Sequence, residues 1–159
     1  MSSDARHTLF EELTREIRLS GSLGTLYGQA VADRLGIHYT DLETMDLLNI
    51  FGPMTAGRLS ELTGLTTGAT TRLIDRLEAG GYVHRSPHPF DRRKVIIEVN
   101  PEKGSECFAL FAPMGDRLRS MWEQMIPEQL ETILDFYRRS NEIMLEQNTR
   151  IRKETAEAD

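Results

Sequence analysis

One segment of the chain, residues 55–99, constrains the fold more than any other. It reads as two short helices joined by a tight turn and followed by a two-stranded ribbon. Leu59 and Leu62 give the first helix an apolar side, and Gly80-Gly81 can adopt the positive φ angles that end many helices. The second helix has an apolar stripe at helical spacing, formed by Leu73, Ile74 and Leu77. This pattern predicts a helix-turn-helix, whose second helix usually enters the DNA major groove.

The ribbon has a basic tip. Residues 82–85 and 95–99 are rich in residues that favour strands. The segment between them, residues 86–94, holds two prolines, an aspartate and the consecutive cations Arg92, Arg93 and Lys94. Such a tip suits DNA phosphates or the narrow, negative minor groove.

These residues resemble the MarR (multiple antibiotic resistance regulator) family of winged-helix transcription factors. The resemblance lies in the run TTRLIDRLEAGGYVHR, in the DRR at residues 91–93, which fits the family's Asp-any-Arg wing pattern, and in the hydrophobic strand that follows. It extends over nearly the whole chain, because a long helical region precedes this core and two helical segments follow it. It implies a mainly α fold with a small β-hairpin wing (α+β), in which N- and C-terminal dimerisation helices flank a winged helix-turn-helix core.

The helical patterns outside the core begin with residues 3–35, which read as mostly helical. We expect a bend or close packing near residues 20–24, where glycines interrupt the pattern. Thr40-Asp41-Leu42-Glu43 is a capping box that predicts a second helix starting at Asp41. Thr66 or Thr67 can cap the second helix of the helix-turn-helix.

Two further helices are predicted after the ribbon. Asn100-Pro101 predicts a helix start, and this helix should run to about Met125 with a kink at Pro113. The last helix should run from Glu128 to about Arg150. As domains we expect dimerisation helices at residues 1–35 and 101–150, a DNA-binding domain at 37–100 and a polar tail at 151–159, all in a single compact chain.

The charge distribution is uneven. The chain carries a formal net charge of −6, which by itself disfavours DNA. Residues 72–94, however, hold six Arg or Lys and three acids, whereas the rest holds 13 cations and 22 acids. A local basic face on an acidic body can still contact phosphates, because charges more than about 10 Å away are largely screened at 0.1 M salt.

The buried stripe of the second helix turns the opposite face outward. There Arg72 can bridge guanine O6 and N7, or else clamp a phosphate without reading sequence. Arg76 could contact phosphate or pair with Asp75 or Glu78. In the wing, the resemblance implies that Arg93 enters the minor groove while Asp91 holds it by a charge-assisted hydrogen bond. The predicted DNA-binding residues are Thr67, Gly68, Thr71, Arg72, Arg76, His88, Asp91, Arg92, Arg93 and Lys94.

The terminal helices carry apolar stripes, such as Phe10, Leu13 and Ile17 in the first. They could pack on their own core, or interlock with a second copy. One short recognition helix reads few bases, so a symmetric homodimer on an inverted-repeat operator is the usual solution. The resemblance implies the homodimer.

The resemblance also implies a small aromatic effector that releases DNA, with candidate binding residues His38, Tyr39, Met45, Phe108 and Phe111. These could equally be ordinary core residues. Cys107, the only cysteine, excludes an intrachain disulfide and lies in an apolar run, so we expect no oxidant sensing. The sequence shows no signal peptide and no 18-residue apolar run, so we expect a cytoplasmic protein without membrane contact.

Catalysis has no support in the sequence. No G-x-S-x-G elbow, P-loop, Rossmann fingerprint or H-E-x-x-H occurs. The His84…His88 spacing lacks a third ligand, so we expect no metal and no cofactor. The predicted function is a dimeric, sequence-specific DNA-binding regulator, a repressor released by an effector. Two alternatives stay open: a winged-helix module that binds protein, and a ligand-binding dimer without DNA affinity.

Overall fold

The structure, a computed structural model, describes residues 3–158, apart from the side chains of Arg92 and residues 156–158. The chain forms two compact units, one ending at Cys107 and one beginning at Phe108. Its elements in chain order are α1 (Ser3–Leu35), α2 (Tyr39–Phe51), β1 (Met54–Thr55), α3 (Ala56–Thr63), α4 (Thr67–Ala79), β2 (Val83–His88), β3 (Asp91–Val99), α5 (Pro101–Ala109), α6 (Ala112–Trp122) and α7 (Pro127–Ala158). The predicted fold class, mainly α with a small wing, is confirmed.

The sheet has three strands rather than the predicted two. β3 lies between β1 and β2, and both pairings are antiparallel. β1 is only two residues long, with Met54 opposite Ile97, so it leaves no alternation of apolar and polar residues to detect in the sequence. The ribbon strands are also longer than expected, and only Pro89 and Phe90 form the turn between them.

The helix-turn-helix forms as predicted. Of the two possible caps, Thr66 is the one used, since its Oγ1 accepts the N–H of Ala69 at 3.3 Å. Gly64 takes a φ of 71° in the turn, which a residue with a side chain rarely adopts. The three apolar residues of the α4 stripe are at most 3% exposed. They lie in a core with residues of α2, α3, β2 and β3. The buried residues of this core are Leu42, Met45, Leu48, Leu59, Leu73, Ile74, Leu77, Val83 and Ile97.

α2 begins earlier than the predicted start at Asp41. His38 is its N-cap, which makes Asp41 the third residue of the helix. Asp41 takes the acidic position of a capping box, because its Oδ2 accepts the backbone N–H of His38 at 3.4 Å. The capping box therefore begins two residues earlier than predicted, at His38 rather than at Thr40.

The bend or close packing predicted near residues 20–24 is absent there, and a close contact lies further along α1. The helix is continuous through Gly21 and Gly24, and a Cβ added at either would meet nothing within 4 Å. The close contact is at Gly28, where an added Cβ would lie 2.6 Å from Cε2 of Tyr39. Gly28 thus lets the ring at the start of α2 approach the backbone of α1.

The helices after the wing differ from the prediction in two ways. Pro113 does not kink one long helix; α5 ends at Ala109 and Pro113 lies at the start of α6, where its missing N–H breaks no helical hydrogen bond. α7 continues to Ala158, so the expected polar tail is helical up to that residue. Arg150 and Glu154, which lie 3.4 Å apart one turn from each other, support this extension.

No helix within residues 3–158 combines the length and the apolar character needed to cross a membrane.

Thr70 gives a first testable prediction. It is 2% exposed on α4, and its hydroxyl is, among the described side chains, a buried polar group without a hydrogen-bond partner. Thr70→Val keeps the shape and removes the unsatisfied group, so we expect the free energy of unfolding to rise by about 1 kcal/mol in urea denaturation. Thr44 is the matched control, because it is equally buried but donates to the carbonyl of Thr40 at 2.8 Å. A Thr70→Val variant no more stable than the wild type would contradict the prediction.

Candidate nucleic-acid interface

The outward face of α4 carries four of the predicted DNA-binding residues. Because the apolar stripe of α4 is buried, the opposite side is exposed, and we call it the recognition face: Thr67, Gly68, Thr71 and Arg72. Thr67 and Gly68 form the first turn, where backbone N–H groups and the helix dipole favour a phosphate. Gly68 has open space, since the nearest atom to an added Cβ is Nη1 of Arg72 at 3.8 Å.

Arg76 lies beside this face but is engaged within the chain. Its Nε and Nη2 donate to the two carboxylate oxygens of Asp41 at 2.8 and 2.5 Å. Asp41 is 1% exposed, whereas the Arg76 side chain is 45% exposed. The hydrogen bond to Asp41 also raises the pKa of Arg76. The prediction that Arg76 pairs with Asp75 or Glu78 is therefore wrong. Arg76 instead connects α4 to the first turn of α2.

Those two acids pair instead with Arg85 of β2, a residue that sequence reasoning did not select. Arg85 donates to Asp75 at 2.6 Å and also to the carboxylate of Glu78, whose Oε1 accepts the backbone N–H of Arg85 at 3.2 Å. The contacts connect the wing directly to α4. The single positive charge of Arg85 also offsets part of the two negative charges, which would otherwise repel phosphate near the recognition face.

The wing, the β2–β3 hairpin of residues 83–99, presents its cations on an irregular stretch. The pairing passes from Pro87 opposite Val95 to His88 opposite Asp91. Residues 92–94 of β3 thus stand between two pairs that are consecutive on β2, as in a β-bulge, a device that redirects side chains at the end of a ribbon. Arg92, Arg93 and Lys94 are these three residues.

Asp91 organises the cations. Its Oδ1 accepts the backbone N–H of Arg93 at 3.1 Å and lies 3.4 Å from the Arg93 Nε, so the predicted contact is present. The ammonium of Lys94 lies 3.8 Å from the other carboxylate oxygen. The backbone hydrogen bond, helped by these charges, lowers the pKa of Asp91, which is therefore ionised at neutral pH. The guanidinium of Arg93 is held at its base while its side chain stays 91% exposed.

The turn of the wing contains a residue that the sequence did not single out. Phe90 is 94% exposed, and its backbone N–H donates to Nδ1 of His88 at 3.2 Å. His84 lies lower on the wing and pairs with Glu98 at 3.0 Å. Within the described residues, no three His, Cys, Asp or Glu side chains are grouped closely enough to hold a metal ion.

The predicted effector residues occupy different environments. His38 is exposed at the N-cap of α2, and the half-buried Tyr39 follows it, donating to Glu43 at 2.6 Å. Burial, and secondarily this contact, raises the pKa of Tyr39. Met45 is fully buried in the core of the first unit, as the core interpretation expects. Phe108 and Phe111 are half-buried in the second unit.

Comparison with known proteins shows that the chain is similar in sequence to one family of regulators. The model of the MarR family matches residues 37–95. The chain is 37% identical over 150 residues to the uncharacterized HTH-type transcriptional regulator YcgE of Bacillus subtilis (strain 168), an alignment that covers 94% of this chain and 97% of YcgE.

Two solved structures show similar folds. The transcriptional regulator Tm0710 from Thermotoga maritima has 27% identity and a TM-score of 0.58, with 90% of this chain and 98% of that chain covered. A mutant MarR from E. coli complexed with operator DNA has 20% identity and a TM-score of 0.52, with 81% and 93% covered.

The exposed recognition helix and the basic wing define a DNA-binding transcriptional regulator with a winged helix-turn-helix. Among such regulators, this chain belongs to the MarR family.

Proposed function

We propose that the chain acts as a homodimer that binds an inverted-repeat operator and represses transcription until a small aromatic effector releases it. The observation that carries the DNA-binding part is the joint exposure of the recognition face and of an Arg93 side chain held by Asp91. The two features lie at the two parts of a winged helix that reach the major and the minor groove.

Each predicted residue has a role in this proposal. Arg72 and Thr71 read base edges in the major groove, while the first turn of α4, at Thr67 and Gly68, anchors a phosphate. Arg93 enters the minor groove. Lys94 and His88 contact the sugar-phosphate backbone, which positions the protein without reading sequence. The same role is predicted for Arg92, whose side chain lies outside the part that the structure describes.

Arg76 has a divided role. Because the Nε and Nη2 of Arg76 donate to Asp41, the first role that we assign to Arg76 is to hold α4 in place. Its exposed part can add a phosphate contact.

The homodimer is supported by the apolar surface of the long terminal helices. α1 exposes Phe10, Leu13 and Ile17 by about half of their surface, and α7 exposes Leu134, Tyr137 and Met144 similarly. Apolar side chains repeated along one helix usually mark a surface that another protein covers. Light scattering of the purified chain at micromolar concentration should give twice the mass of one chain; the mass of a single chain would refute the dimer.

The proposed effector acts on the first turn of α2. Tyr39 lies there beside His38, and two residues later Asp41 binds both the N–H of His38 and the guanidinium of Arg76. A molecule that displaces this turn would therefore shift α4. A screen of phenolic and other aromatic compounds for release of bound DNA tests this part, and Tyr39→Ala should alter the response to any compound found.

The two alternative functions make a different prediction for DNA. A protein-binding module, or a ligand-binding dimer without DNA affinity, would not retard a duplex taken from upstream of the chain's own gene. The proposed regulator should retard it, and the affinity should fall steeply with salt, with a logarithmic slope near −0.9 per neutralised phosphate. No retardation at low salt would favour the alternatives.

Arg93→Ala should weaken DNA binding about tenfold and reduce the salt slope by about 0.9, because one phosphate-proximal charge is lost. The fold should persist, since the side chain is exposed. Asp91→Ala should weaken binding in the same direction, because Arg93 loses its anchor. Anisotropy titration of a labelled duplex measures both effects. If Asp91→Ala instead tightens binding, simple repulsion between its carboxylate and phosphate governs, and the positioning role is wrong.

Cys107→Ser should change neither DNA affinity nor its response to peroxide. Cys107 is fully buried on α5, and burial, reinforced by the charge of Asp46, raises the pKa of its thiol. The reactive thiolate is therefore scarce at neutral pH. Titrations before and after mild peroxide treatment measure the response. A wild-type loss of affinity that the serine variant lacks would make the chain a redox sensor.

A further inference from the structure

The turn of the wing combines an aromatic ring with a cluster of cations. Phe90 is 94% exposed, more than any other large apolar residue among the described side chains, the next being Leu26 at 66%. A single exposed apolar residue is common on protein surfaces and needs no explanation by itself. The position of Phe90 is what distinguishes it, since it forms half of the two-residue turn at the end of the wing.

The turn holds the ring in a defined orientation. Pro89 precedes Phe90 and fixes one backbone angle. The backbone N–H of Phe90 donates to Nδ1 of His88, and the two rings meet edge to face with centroids 6.2 Å apart and an interplanar angle of 66°. A ring ordered before binding loses little conformational freedom on contact, so its burial contributes more to affinity.

The surroundings of the ring indicate the surface that it meets. Asp91 follows Phe90 directly and holds Arg93 and Lys94 through its carboxylate. The ring and the cations therefore lie at the same end of the wing, and a surface that accepts both must combine a place for an apolar ring with negative charge. The DNA minor groove combines negative potential with base steps that apolar side chains can open.

We propose that Phe90 is a further DNA-contacting residue, whose ring packs into the minor groove beside Arg93 as an apolar wedge at a base step. This proposal rests on the proposed function of the wing. Flexible pyrimidine–purine steps open at lower cost than other steps, so Phe90 adds specificity for such a step under the wing. Arg93 supplies the charge and Phe90 supplies the stacking surface.

Salt dependence separates a wedge from a charged contact. An aromatic ring neutralises no phosphate, so Phe90→Ala should lower affinity about tenfold without changing the salt slope. Arg93→Ala should change the slope. Val95→Ala is the matched control for the hairpin itself, because Val95 is an apolar residue of β3, 49% exposed, that pairs with Pro87 and is not part of the two-residue turn.

The experiment uses the whole chain of 159 residues and a duplex recovered by selection from a random-sequence pool. Anisotropy titrations over a range of salt compare the wild type with Phe90→Ala, Arg93→Ala and Val95→Ala. 2-Aminopurine placed in turn at the steps protected by the wing reports unstacking, and its fluorescence should rise with the wild type and not with Phe90→Ala. Circular dichroism confirms that each variant is folded.

The outcomes separate this proposal from the one on which it rests. Equal affinity of the wild type and Phe90→Ala, an equal loss in Val95→Ala, or a changed salt slope in Phe90→Ala would overturn the wedge while leaving the DNA-binding function intact. A wild-type chain that binds no duplex would overturn both.

Discussion

Arg76→Ala should lower the free energy of unfolding by about 2–3 kcal/mol. The substitution leaves the carboxylate of Asp41 1% exposed and without its cation, and removing one partner of a buried ion pair is costly for this reason. The half-exposed position of Arg76 places the expected loss somewhat below the roughly 3–5 kcal/mol of fully buried pairs. Urea denaturation followed by circular dichroism measures the change.

Arg58→Ala is the matched control for Arg76→Ala. Arg58 also forms an ion pair, with Glu61 at 2.8 Å, but both side chains are more than half exposed. An exposed pair of this kind contributes about 0.5 kcal/mol or less. If Arg76→Ala and Arg58→Ala lower the free energy of unfolding equally, the Asp41–Arg76 pair does not hold α2 and α4 together. DNA titration below the unfolding temperature adds a second readout. If Arg76 contacts a phosphate, Arg76→Ala should lower the salt slope of DNA binding; if its role is purely structural, the slope should not change.

Arg72→Ala should cost about 1–3 kcal/mol of affinity for the preferred site and less for random DNA, because a bidentate contact to guanine is lost only at the preferred site. Arg72 is exposed on the recognition face, so the fold should be unaffected. Competition titrations with the selected duplex and a random duplex measure the ratio of the two affinities.

Equal losses on both duplexes would assign Arg72 to a phosphate. Arg139→Ala controls for the loss of a surface arginine, because Arg139 lies on α7 and is paired with Asp135 at 3.0 Å. It should change neither affinity. The pair of variants therefore distinguishes sequence reading from general attraction to DNA.

The elements that the sequence predicted correctly are those with local signals. A glycine at the turn, a threonine cap and an apolar stripe all lie within one helix-turn-helix, so residues 56–79 could be assigned without knowing any distant contact. β1 could not be assigned because a two-residue strand exists only through its pairing with β3. Pro113 was placed inside a helix because the residues on both sides favour helix, whereas a proline is best accommodated at a helix start.

In the candidate site, too, local contacts could be predicted from the sequence and distant ones could not. The Asp91–Arg93 contact spans two residues and follows from the wing pattern. The Asp41–Arg76 pair spans 35 residues, and the sequence marked Asp41 only as the first residue of a helix, so no pattern pointed to the pair. Arg85 reads as an ordinary strand residue until the structure brings β2 against α4. Phe90 was not selected because only the position of the turn shows that its ring is exposed.

The most direct test of the central claim is selection of duplexes from a random-sequence pool by the purified chain at about 0.1 M salt. A symmetric dimer that places two copies of α4 in successive major grooves should recover inverted repeats whose half-site centres are about 10 base pairs apart. Recovery of no preferred sequence, or of single unpaired half-sites, would contradict a dimeric regulator that reads DNA through α4 and the wing.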